Sequence, residues 1–294
     1  MTFVQYLIDA VALGAVYSVV ALGIGLVFGV MRLINLAYGE LITAGAFTLG
    51  YLGNQPAVVA ILGCVGVVLA LSLLQELAFR PLRGTSPATM LVATFGVSYL
   101  LQNVYLLSFG SRGKAVSTLG GLNTAIDIGT LRIRWISIVA LIAGGVLLAL
   151  TALLLNRTTV GIQIRAAAAD FRTARILGVR ANRVIGFSFL VSGFLAAAVA
   201  VLLTVQSPLV TPDFGVQVTL FALVGVVVGG LDRLWTATLG GFGIGFVTSL
   251  VGAELPSSSS VYLPSFIYGI VIVVLLVRPN GVFAGPSTTV AERV

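Results

Sequence analysis

Glu40 is the one acidic side chain set well inside an apolar run of this 294-residue chain, in the stretch INLAYGELITAGAF. A carboxylate at membrane depth costs roughly 2.5 to 3.5 kcal/mol even on insertion scales, so it has to face a protein interior or water. There it could couple ion movement or line a path for a polar solute. Asn35 and Tyr38 stand close by. Helical spacing puts those two on one face, but Tyr38 is only two residues from Glu40, so the three do not form one stripe. A break near Gly39 would let helix ends and loose backbone groups point at a solute. It would also let Glu40 pair with Arg32, which an unbroken helix holds about two turns away. Asp9 and Glu76 lie nearer span ends, and Glu76 can meet Arg80 at i, i+4 spacing, so both read as solvated or paired anchors.

A second group is cationic. The segment RTTVGIQIRAAAADFRTARILGVRANR, residues 157–183, carries six arginines (157, 165, 172, 175, 180 and 183) against one acid, Asp170. Ile162, Ile164, the alanines 166–169, Ala174, Ile176 and Leu177 interleave with Arg165, Arg172 and Arg175, which suits short amphipathic helices lying at a membrane surface. Gly178 can end such a helix at positive φ without a Cβ penalty. Two readings stand on physics alone, contact with anionic lipid and a surface for another protein to grip.

Other chemistry is excluded. The chain has no histidine, so imidazole catalysis and His-ligated metal sites are ruled out, and neither a metal nor a cofactor is expected. Lys114 is the sole lysine and is followed by Ala115, so there is no GxxxxGK[ST] phosphate loop and nucleotide hydrolysis would need a separate polypeptide. Cys64 is the only cysteine and sits in an apolar run, where it reads as a buried, inert thiol.

The elements that must position these groups follow from composition. Hydrophobic residues make up 59% of the chain and charged ones 9%, with a mean hydropathy of +1.13. Continuous apolar runs of about twenty residues indicate an all-α polytopic membrane protein rather than a barrel of short alternating strands. Spans are expected near 5–30, 34–53, 57–79, 88–108, 135–155, 184–206, 215–231, 235–252 and 261–277. The second and the seventh to eighth are short and Gly-rich, open to a re-entrant reading, so the bundle has eight or nine transmembrane helices. The first basic residue is Arg32, so a cleaved signal peptide's basic start is missing and residues 5–30 should remain as the first span.

The net charge of +7 reads as topology, since basic residues cluster at span ends without an extended basic face for nucleic acid. With 157–183 in the cytoplasm, alternation places Arg32, Arg80, Arg83, Arg233, Arg278 and Arg293 inside too, leaving Arg112, Lys114, Arg132 and Arg134 outside. The N-terminus is then outside and the C-terminus inside. The external loop 109–134 has the Gly, Ser and Thr content of turns or short strands. Glycines 225, 229, 230, 240, 241, 243 and 245 suit close packing of helix backbones. Asp232-Arg233 reads as a short aqueous turn between those runs, and no internal repeat is evident by eye.

Four blocks of the chain resemble one family. GAVYSVVALGIGLVFGVMRLINLAYGELITAGAF, GIQIRAAAADFRTARILGVRANRVIGFSFLVSGFLAA, VGVVVGGLDRLWTATLGGFGIGF and LLVRPNGVF are similar, in order, to the permeases of branched-chain amino-acid ABC importers of the bacterial inner membrane. The resemblance implies a single transmembrane permease domain over 1–294 that is no enzyme, with a coupling loop near 156–183. It implies as partners two ATP-binding cassette subunits, a second related permease or a second copy, and an extracytoplasmic substrate-binding protein. It carries Arg172, Ala174, Arg175, Leu177 and Gly178, with Arg165, over as the ATPase-facing set, and puts Asn35, Gly39 and Glu40, with Tyr38, near the substrate path. Two positions depart from the family pattern. Tyr38 stands where the family has histidine, and GGLDRLWTATLGG replaces a run of small residues. Members of the family also move other small amphipathic amino acids, urea and short amides. From a different class, a stand-alone carrier or channel would use Glu40 as its coupling acid.

Overall fold

The computed structural model describes residues 3–282 apart from 33, 84, 117, 129, 130, 231, 232, 279 and 280; Asp232 and Arg293 thus lie outside the described residues, as do the side chains of Arg132 and Arg172. The chain is an all-α polytopic membrane protein. Its helices are α1 (Phe3–Met31), α2 (Tyr38–Tyr51), α3 (Ala57–Phe79), α4 (Pro87–Phe109), α5 (Trp135–Arg157), α6 (Thr159–Ala169), α7 (Phe171–Ile176), α8 (Ala181–Gln206), α9 (Phe214–Gly229), α10 (Leu234–Glu254) and α11 (Leu263–Val277). Seven candidate spans are long and apolar enough to cross a bilayer. The 14-residue α2 and 16-residue α9 are about 21 and 24 Å long, short of a hydrocarbon core of about 30 Å. The eighth span, expected to be short, is the full-length α10.

Two short strand pairs lie at one end of the bundle. β1 (Lys114–Ala115) pairs antiparallel with β4 (Leu209–Val210), and β2 (Ala125–Ile128) with β3 (Leu131–Arg134). These are the short strands that the loop composition suggested. At the opposite end, the Arg32 guanidinium donates to the Ala168 carbonyl at 2.8 Å and Arg83 to Asn182 Oδ1 at 2.8 Å. Arg32, Arg83 and the arginine segment therefore share one end, as span alternation requires.

Two four-helix units, α1–α4 and α8–α11, repeat one another upside down. α1 packs along α10 as α8 packs along α3, α1 crosses α8, and α2 crosses α9. Each unit is a long helix, a connection (between Met31 and Tyr38, or between Gln206 and Phe214), a short helix and two further helices. The sequence reading found no such repeat. Its trace is Tyr38-Gly39 with Thr43 against Phe214-Gly215 with Thr219, an aromatic, a glycine and a threonine at identical spacing in an otherwise dissimilar background.

The position of the first break also differs from expectation. α1 stops at Arg32, which takes φ of 54° and donates its N–H to the Phe28 carbonyl. Glycine is the usual residue for such a left-handed cap, and a side chain there costs roughly 1–2 kcal/mol. Asn35 then accepts the Ala37 N–H on its own Oδ1 at 3.0 Å, an Asx turn that leads into α2. The break thus falls between Met31 and Tyr38, and Gly39 lies inside the first turn of α2. The outer helices are lightly packed by comparison with the centre: 83% of the apolar window of α1 is buried, against 11% for the span containing α11.

Candidate functional site

Gly39 and Gly215 bring the two short helices into backbone contact near their N-termini. A Cβ on Gly39 would lie 2.7 Å from the Gly215 carbonyl oxygen and 2.9 Å from Thr219 Oγ1. One on Gly215 would lie 2.9 Å from Thr43 Oγ1 and would overlap the Gly39 carbonyl. The Gly215 N–H donates to Thr43 Oγ1 at 2.9 Å, which satisfies one of the first-turn donors that a helix start leaves open. Gly39 is therefore a close-approach glycine, and the break it was expected to make lies upstream.

Glu40 follows on α2 and is fully buried. Its Oε1 accepts from Ser98 Oγ at 2.8 Å and from Gln102 Nε2 at 3.0 Å, while the Tyr105 hydroxyl donates to its backbone carbonyl at 3.0 Å. Oε2 has no partner among the described residues. Thr94, one turn before Ser98, donates to the Ile34 carbonyl at 3.2 Å. Thr94, Ser98, Gln102 and Tyr105 recur every three to four residues, so one face of α4 is a polar stripe laid against the break and the start of α2. Sequence reading missed these partners, although a helical polar period in an apolar span was a signal that could have found them. The suspected Arg32–Glu40 pair does not form.

The other residues grouped with Glu40 diverge. Asn35 lies before α2, so it shares no helix face with Tyr38. Its Nδ2 donates to Gln75 Oε1 at 3.4 Å, and Gln75 Nε2 donates to the Ala37 carbonyl at 2.8 Å. Tyr38 turns to α1 and α8, where its hydroxyl donates to the Ser192 carbonyl at 3.4 Å and its ring end fills the space over Gly23. A histidine there would be too short to reach as far. Glu76 pairs with Arg83 rather than Arg80, because the turn Arg80–Leu82, carrying Pro81, ends α3 and swings the chain back. Asp9 accepts from Ser137 Oγ at 2.7 Å and faces Arg134 at 3.6 Å, a paired anchor as expected. Cys64 is buried.

The arginine segment folds into α6 and α7. α6 buries Gly161, Ile164 and Ala167 at three-residue spacing and leaves Arg165 exposed. α7 buries Ala174 and ends in a Schellman turn: Val179 N–H donates to the Ala174 carbonyl at 3.0 Å, Gly178 N–H to Arg175 at 3.2 Å, and Gly178 has φ of 90°. That turn presents Ile176 and Leu177 at 78% and 80% exposure beside Arg175. Both are large apolar side chains exposed beyond the spans. Arg165 lies one helix earlier, facing a cleft against α1, α5 and α10.

Comparisons with known proteins place the chain in a family. Over 97% of both chains, the protein is 28% identical to the high-affinity branched-chain amino acid transport system permease protein BraD of Pseudomonas aeruginosa. It is 29% identical to the corresponding permease protein LivH of Escherichia coli, over 97% of this chain and 96% of the relative. A probable branched-chain amino acid transport permease of Methanocaldococcus jannaschii is 27% identical over 89% of this chain and 86% of its own. No solved structure matches significantly. Such relatives are transport subunits rather than enzymes, and they do not favour a stand-alone carrier. With residues 6–276 matching the family described as the permease component of branched-chain amino acid transport systems, the chain is a multi-pass inner-membrane protein that belongs to that family.

Proposed function

We propose that this permease moves branched-chain or similar small amphipathic amino acids inward, driven by two ATP-binding cassette subunits that dock on α7. The substrate class rests on what the relatives are named for. The docking reading rests on one observation: a capped six-residue helix holding Ile176 and Leu177 out from the bundle beside Arg175. In this reading the α6–α7 end is cytoplasmic, the N-terminus is outside, and a soluble binding protein delivers substrate at the β1–β4 end. Gly178 fixes the turn, and Ala174 anchors it from beneath. Arg172 belongs to the same surface by its place on α7.

A second permease, or a second copy of this chain, completes the path along α4. Tyr99 is 62% exposed on this helix and Asn103 lies one turn further on. Polar groups at the middle of a span are costly against lipid, which favours water or protein beside them. Glu40, Asn35, Tyr38 and Gly39 then stand behind the path, and Glu40 sets the position of α4 through Ser98 and Gln102. Co-expression of this chain with cassette ATPases from its own organism tests the docking. The ATPase should copurify with the unaltered chain and be lost from the double variant Ile176→Ser, Leu177→Ser, with membrane insertion intact. Undiminished copurification would refute the assignment.

A further inference from the structure

We propose that the cleft between α1, α5, α6 and α10 binds one anionic phospholipid from the leaflet on the α6 side. The cleft has a volume of ≈ 360 Å³, within the range of pockets that hold small ligands. Its walls are apolar. On α5 they run from Leu148 to Leu155, and Leu22 of α1 and Leu234 of α10 face them. Leu148 to Asn156 spans about 12 Å along the helix axis, so the cleft extends from the end of the span well into hydrocarbon depth. Its polar groups gather where the spans end: Arg32, Arg165 and Asn156. Arg233 joins Arg32 in an adjoining small cavity, and no carboxylate lines either space among the described residues.

Two further observations point to a ligand for these cations. Arg32 takes a left-handed backbone conformation that glycine would adopt without strain, and its guanidinium is tied to the Ala168 carbonyl of α6 at 2.8 Å. That strained turn places Arg32 where it lines both cavities. Trp235 lines the same cleft and is exposed at the first turn of α10, the depth at which indole rings favour a membrane interface. A phosphodiester at the arginines, with the first methylenes of its acyl chains along α5 and the rest of the chains in the surrounding bilayer, uses both halves of the cleft. An acidic side chain of a docking protein would satisfy the arginines and leave the apolar walls open. The lipid would bridge α1 to α6, and its binding does not depend on what docks on α7.

Native mass spectrometry of the full chain, purified from bilayers of equal phosphatidylglycerol and phosphatidylcholine, tests the proposal. The chain should retain phosphatidylglycerol over phosphatidylcholine by about tenfold, in keeping with the attraction of a few arginines for an anionic headgroup. Arg32→Gly keeps the backbone turn and removes the guanidinium, so it should fold and lose several-fold of that preference; with Arg165→Gln added, retention should approach parity. Arg112→Gln, at the other end, should change nothing. Inorganic phosphate at millimolar concentration should not displace the lipid. Parity in the unaltered chain, an undiminished preference in Arg32→Gly, or displacement by phosphate alone would each overturn the assignment, the last in favour of a soluble anion. Loss of ATPase copurification from Arg32→Gly with lipid preference unchanged would overturn it in favour of a protein contact.

Discussion

The two halves of the bundle share a geometry and differ in chemistry. α2 and α9 start the same way, with an aromatic residue and a close-approach glycine, and a threonine follows four residues after the glycine. The residue after the glycine is Glu40 in one and Val216 in the other. α4 turns a polar stripe to Glu40, whereas its counterpart α11 buries Ile267 and Val271. Even the threonines are unequal, since Thr43 accepts the Gly215 N–H while Thr219 Oγ1 has no partner among the described residues. In both units a short helix starts at a close-approach glycine, and the two meet there by backbone contact. Only in the first unit does a carboxylate follow the glycine, and there it fixes how α4 sits.

The equality is broken most severely at the glycines. Gly39→Val and Gly215→Val should each drive a side chain into the opposing backbone and destabilise the bundle by about 3 kcal/mol or more, the upper end of overpacking. Gly243→Ala, which meets open space, should leave the thermal midpoint in detergent unchanged. Equal midpoints for all three variants would mean that the crossing is not the tight point. The inequality is probed next by Val216→Glu, which puts a carboxylate where no Ser98 or Gln102 waits. It should cost about 2.5 to 3.5 kcal/mol, read as lost yield of folded chain. Smaller again is Ser98→Ala, at about 1 to 3 kcal/mol for a buried acceptor that loses a hydrogen bond. Glu40→Gln should remove most of that penalty in a double-mutant cycle; strictly additive losses would show that the stripe on α4 does not serve Glu40. Arg175→Glu lies outside both repeats and should move stability by less than about 0.5 kcal/mol, while ATPase copurification falls.

Much of this was legible in the sequence because hydrocarbon imposes a length. The nine apolar runs reappear as nine helices with ends shifted by a few residues, and the Gly225 and Gly240 runs do bring α9 and α10 into backbone contact. The break suggested near Gly39 was placed a few residues late for a physical reason. Its stop is an arginine in a glycine conformation and its restart an asparagine turn, so neither glycine nor proline marks it. Glu40 was rightly singled out as buried, but its partners come from α4, some sixty residues away, and pattern reading along a single span does not reach them. The repeat escaped notice because packing needs only a glycine and a threonine at each crossing, leaving the rest of each unit free to diverge.

Transport by this permease depends above all on a division of labour between the chain and a separate motor. Reconstitution into liposomes tests it directly, with labelled leucine uptake measured for the permeases, binding protein and cassette ATPases together, and again with this chain alone. Uptake that requires ATP and the ATPases, and that vanishes with Ile176→Ser, Leu177→Ser, is the predicted result. Leucine accumulation by this chain alone, abolished by Glu40→Gln, would contradict it.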